Sequence, residues 1–161
     1  MPEPDAQSAR IPGMSILEKL NEGLNTSTPA ETAACGEAVA EILPGDCTLA
    51  LFGELGSGKT TFVKGLAKFW QIAEDITSPT YNLFVTYTGI RNLIHLDAYR
   101  IEDEKQWDDL MIEDFLAPPF CLAIEWPENL GSRVPEDSWT LTFTIVQSGV
   151  HLIRLNDSDS R

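Results

Sequence analysis

From Gly53 to Thr60 the chain reads GELGSGKT, which fits G-x-x-x-x-G-K-[ST] at every position. The chemistry that this spacing serves is the holding of a phosphate chain. Gly53, Gly56 and Gly58 free the backbone to turn its N–H groups toward an anion, with Glu54, Leu55 and the small Ser57 between them. Lys59 then supplies a point charge for the β- and γ-phosphates. Thr60 supplies a hydroxyl ligand for Mg²⁺, and Thr61 is expected to add one more phosphate contact.

Two acids join these candidates, because Asp97 ends the apolar run NLIHLD and Glu125 ends CLAIE. Ligands of an open α/β sheet sit beyond the carboxyl ends of its strands, so both acids can face the glycine loop. Either acid alone reads as a cap on the following turn. Beside the loop, Glu125 is expected to complete the Mg²⁺ set begun by Thr60, and Asp97 to orient an attacking water or accept its proton. The loop SPTY, with Ser78 and Thr80, reads either as a turn or as a switch that senses Mg²⁺ and the γ-phosphate. Trp126 reads either as core or as a mobile lid.

The elements that must position these groups follow from pattern. TLALF, Thr48 to Phe52, reads as a strand buried on both faces, and Phe62, Leu66 and Phe69 then mark one face of a helix. Thr28, Pro29 and Glu31 form a capping signal for a helix from Pro29 to Leu43. A strand pair turns near Gly89, KQWDDLMIEDFL predicts a helix, and a short strand starts at Phe120. The alternation from Trp139 onward, with a turn at Ser148-Gly149, predicts a hairpin of structural role. Together these describe a three-layer α/β fold with a central, mostly parallel sheet and an antiparallel C-terminal hairpin. Residues 1–25 read as a flexible arm with a short helix around SILEKL, 26–156 as the folded domain and 157–161 as a polar tail.

With 161 residues, 43% of them hydrophobic, the chain has enough apolar surface for one domain. No run is long and apolar enough for a membrane span, and the first residues lack the pattern of a signal peptide, so a cytoplasmic protein is expected. Cys35, Cys47 and Cys121 are few, odd in number and widely spaced, which predicts buried free thiols. His95 and His151 are the only histidines, too few for a His-rich metal site. A net charge of -14 argues against nucleic-acid binding by this chain alone and suits docking onto a basic partner.

The set GELGSGKTT, SPTY, HLDAYR and IEWPE, in this order and at these separations, resembles the TsaE family of bacterial P-loop ATPases from about Ala30 to Ile145. The resemblance implies ATP and Mg²⁺ as cofactors and ATP hydrolysis in the synthesis of N6-threonylcarbamoyladenosine (t6A) in tRNA. It also implies TsaB-like and TsaD-like partners, with tRNA met only through their complex. It carries Lys59 and Thr60 over as phosphate and Mg²⁺ contacts, Glu125 as the second Mg²⁺ ligand, Asp97 as the acid of hydrolysis and Trp126 as a neighbour of the nucleotide. The sequence departs from the family at Ser57, where Ala is usual, and at Met111, where Gly is usual. A small-molecule or nucleoside kinase is the alternative, and it would need arginines closing over the transferred phosphate. A nucleotide-dependent binding module without turnover is a third reading.

Overall fold

The computed structural model describes residues 14–79 and 82–156. Its strands are β1 (Leu24–Thr26), β2 (Cys47–Gly53), β3 (Phe84–Tyr87), β4 (Asn92–Asp97), β5 (Phe120–Glu125), β6 (Trp139–Gln147) and β7 (Val150–Asn156). They form one seven-stranded sheet in the order β1-β7-β6-β2-β5-β4-β3. Strands β6, β2, β5 and β4 run parallel at its centre. The pairings β1–β7, β6–β7 and β3–β4 are antiparallel, so the sheet is mixed, with parallel character confined to the middle. Tight turns such as that at Ser148-Gly149 can return the chain only antiparallel, whereas β2, β4, β5 and β6 are joined by long crossovers.

Alternation along the strands divides the core in two. Leu49, Leu51, Leu93, Cys121, Ala123, Leu141 and Phe143 face one side, where α1 (Ile16–Glu22), α2 (Pro29–Ile42) and α3 (Lys59–Phe69) cover them. Ile94, Leu96, Leu122 and Ile124 face the other, under α4 (Glu104–Asp109) and the 3-10 turns Ile112–Phe115 and Pro127–Arg133. Cys35, Cys47 and Cys121 are buried free thiols.

Helix α3 holds the glycine loop and is itself held by α2. A Cβ at Gly36 would collide with the Phe62 carbonyl oxygen, and one at Gly65 with that of Ala33, so the two helices cross at backbone contact. The buried face of α3 is Phe62, Val63, Leu66 and Ala67, continued by Trp70. Phe69, expected on that face, is 40% exposed, because the helix ends there and Trp70 takes the core position. Thr28 caps α2 as expected, accepting from the Glu31 N–H at 3.1 Å, while the Glu31 side chain accepts from the Ser27 N–H at 2.6 Å.

The arm expected over residues 1–25 is partly fold. Ser15 and Glu18 close a capping box on α1, Leu20 enters the core, and β1 pairs with β7. Residues 1–13 and the tail 157–161 lie outside the described residues.

The helix expected over KQWDDLMIEDFL breaks after Asp109. Met111 turns the chain with φ 51° and ψ 44°, a left-handed conformation in which a side chain costs about 1–2 kcal/mol. Glycine, usual here in the family that the sequence resembles, removes that cost. Met111→Gly is therefore expected to raise stability by about 0.5–1 kcal/mol after glycine's own entropic penalty. Urea unfolding tests it; a fall in midpoint would mean that the half-exposed Met111 side chain contributes more than its backbone costs.

Candidate functional site

The turn from β2 into α3 places the glycine loop at the carboxyl end of the central strand. Gly53 has φ 153°, and a Cβ there would meet the Phe143 carbonyl oxygen and Ser57 Oγ, each at 2.6 Å. Gly58 is the N-cap of α3 with φ 108°, and no side chain caps the helix. Helices α1, α2 and α4 are capped by Ser15, Thr28 and Asp103. The uncapped amides and the helix dipole leave the start of α3 suited to an anion.

Lys59, the first residue of α3, is buried at 4% exposure. Its Nζ donates to the Gly53 carbonyl oxygen and lies 3.9 Å from the centroid of the Trp126 ring. Burial lowers the pKa of this amine, an effect opposed by the charges of Glu125, Glu128 and Asp97. Glu54, Leu55 and Gly56 are exposed around the loop, Leu55 at 88%, and Ser57 is buried. Thr61 lies in the first turn of α3.

Next along α3, the Thr60 hydroxyl donates toward Glu125, with Oγ1 3.2 Å from both Oε1 and Oε2. Glu125 is 4% exposed and ends β5, directly across from Asp97 at the end of β4. The two acids and the loop thus share one end and one face of the sheet. Asp97 accepts from the Ser78 hydroxyl at 3.3 Å and from the Tyr99 N–H at 3.0 Å, so it does cap the following turn. It lines a cleft of about 330 Å³ together with Leu55, Ser78, Tyr99 and Trp126. Thr80 lies outside the described residues.

Trp126 is partly buried and lines the same cleft. It takes φ 56°, uncommon for a bulky residue, and its ring meets that of Tyr99 in a tilted contact, with centroids 5.1 Å apart. Backbone strain of this kind concentrates at sites where a side chain must be aimed.

Both histidines turn up at the site, and neither was singled out by the sequence reading. His95 Nε2 is 2.6 Å from Glu125 Oε2, and His151 Nδ1 is 2.6 Å from the Ser57 carbonyl oxygen. The signal for His95 was its place two residues before Asp97, on the same face of one strand. His151 had no local signal, and its contact gives the C-terminal hairpin a share in holding the loop.

A parallel centre whose middle strand passes through a glycine loop into an uncapped helix defines a P-loop α/β protein. The family model described as "Threonylcarbamoyl adenosine biosynthesis protein TsaE" matches residues 26–151, and the chain belongs to the TsaE family. The "tRNA threonylcarbamoyladenosine biosynthesis protein TsaE" of Treponema pallidum is 35% identical over 119 residues, 74% of this chain and 88% of that one. Its counterpart from Bacillus subtilis is 36% identical over 114 residues, 70% of each. The crystal structure of Bacillus subtilis YdiB superposes with a TM-score of 0.68 at 26% identity, covering 83% of this chain and 82% of that one. Among the described residues, no helix is long and apolar enough to cross a membrane.

Proposed function

We propose that this chain binds and hydrolyses ATP with Mg²⁺, in support of t6A synthesis in tRNA and together with TsaB-like and TsaD-like proteins. The observation that carries the proposal is the meeting of Thr60 and Glu125, 65 residues apart in sequence, beside the uncapped start of α3. A hydroxyl and a carboxylate are hard oxygen donors, the set that Mg²⁺ prefers, so the residues present fit this ion. Thr60 and Glu125 would hold it, and when bound it would neutralise charge on the phosphate oxygens. Lys59 exchanges its Gly53 and Trp126 contacts for the β- and γ-phosphates. The loop amides bind the same chain of phosphates, and Asp97 orients the attacking water from the cleft. The tRNA role is supported by the relatives' names.

The kinase alternative loses one of its arginines. Arg133 Nε and Nη2 each donate to Asp108 at 2.9 Å, on the opposite face of the sheet, which leaves Arg100 at the cleft.

The reading is tested by heating the protein with and without Mg-ATP and by following phosphate release in the presence and absence of nucleoside acceptors. Mg-ATP is expected to raise the unfolding midpoint, and phosphate to appear without any acceptor. Lys59→Met is expected to abolish the shift without lowering the midpoint of the nucleotide-free protein, since it removes a cation that burial disfavours. An equal Mg-ATP shift in Lys59→Met, or phosphate transfer only to an acceptor, would overturn the proposal.

A further inference from the structure

We propose that His95 is a positioning residue, holding the Glu125 carboxylate in the orientation that a divalent cation requires; the inference rests on the Mg²⁺ reading above. His95 is completely buried in β4, where its register partner on β5 is Ala123. That small side chain leaves the imidazole room to lean along β5 to Glu125, two residues further on. Nε2 donates to Glu125 Oε2 at 2.6 Å, a short hydrogen bond to a carboxylate acceptor.

The carboxylate is thereby divided into two unlike oxygens. Oε2 accepts from His95, whereas Oε1 does not, and the single Thr60 hydroxyl hydrogen is shared between the two at 3.2 Å from each. Each carboxylate oxygen has two lone-pair positions, and with His95 on Oε2, Oε1 is the oxygen left with more room for a cation. His95 fixes which oxygen is offered.

A histidine kept only for packing would be expected to satisfy both ring nitrogens. Here Nδ1 is buried with no hydrogen-bond partner among the described residues. The imidazole therefore accepts the desolvation of one nitrogen in order to place the other, and its single polar contact is with Glu125. Outer partners of this kind set the orientation of a metal ligand, and their loss typically costs roughly 10- to 100-fold in metal affinity.

The test is binding of a fluorescent ATP analogue, titrated with Mg²⁺ and repeated in excess chelator, for wild type, His95→Met and His95→Gln, with thermal unfolding of each free protein. His95→Met is expected to raise the Mg²⁺ concentration for half-maximal binding by roughly 10- to 100-fold and to leave affinity in chelator within about twofold. His95→Gln, whose amide N–H falls near the position of Nε2, is expected to recover most of the loss. Should His95→Met not fold, His95→Asn, polar but too short to reach Glu125, carries the same expectation. An unchanged Mg²⁺ requirement in a folded Met or Asn variant overturns the inference. So does a folded Gln variant no better than these. Mg²⁺-independent binding by the wild type overturns the parent reading instead, before any variant is compared.

Discussion

Replacing Asp97 by asparagine is expected to lower ATP turnover by roughly 10²- to 10⁴-fold and to leave nucleotide affinity within a few-fold, as for loss of a group that handles a proton or orients water. Asparagine is the informative substitution because of what Asp97 already does in the fold. Its Oδ1 accepts from the Tyr99 N–H, and Asn keeps that acceptor. The other oxygen faces the Ser78 hydroxyl, which can turn to accept from an amide as readily as it donates to a carboxylate. Alanine would add loss of the cap, about 1 kcal/mol, and blur the result. Single-turnover hydrolysis and equilibrium binding measured on the same preparation separate the two effects. A loss of affinity as large as the loss of rate would mean that Asp97 serves the cation, and that the roles assigned to it and Glu125 are exchanged or shared.

Turnover by the lone chain is expected to be slow, and the TsaB–TsaD pair to raise it by as much as roughly 10³- to 10⁵-fold, the range seen when an arginine completes a phosphoryl-transfer site. The geometry gives the reason. Arg133 is committed to Asp108 and Glu104, across the sheet from the loop. Arg100 is exposed at the rim of the cleft and has no ion pair among the described residues to hold it over the phosphates. Docking would supply an arginine or order Arg100. Because the chain carries a net charge of -14, the encounter should be assisted by opposite charge, and the stimulated rate should fall as salt rises while the basal rate changes less. Steady-state phosphate release, alone and with the pair across a salt series, decides the matter. Fast hydrolysis by the lone chain, unaffected by the pair at low salt, would rule the idea out.

The glycine loop, the strand before it and the helix after it were legible because their signals are local: fixed letters, an apolar run and a 3.6-residue period. The capped start of α2 and the turns of both hairpins were legible for the same reason. Phe69 misled because three apolar residues at helical spacing do not show where the helix stops. The break at Met111 carries no local signal, since methionine gives no warning of a left-handed turn, and only the glycine usual there in the resembled family pointed to it. The role of His151 was out of reach for a different reason, and that of His95 was hinted at only by its place two residues before Asp97. Each depends on which strands lie side by side, and β5 pairs with β4 and β2 rather than with its successor β6. No single segment encodes that order.

The placement of Asp97 directly opposite Glu125 also bears on how faulty copies of the protein behave. Side chains alternate along a strand, so sliding β5 by one residue would turn Glu125 to the α4 face and bring Ile124 against Thr60 and His95. The central strands are far apart in sequence, and such long-range pairings form late and are open to error. A misregistered copy would keep the glycine loop and the contacts that β6 and β7 make with it, through Phe143 and His151. It would have no carboxylate beside Thr60 and would lack the cation site proposed above. On the proposed reading, competence to hydrolyse nucleotide would arise only in chains whose sheet has been assembled in register.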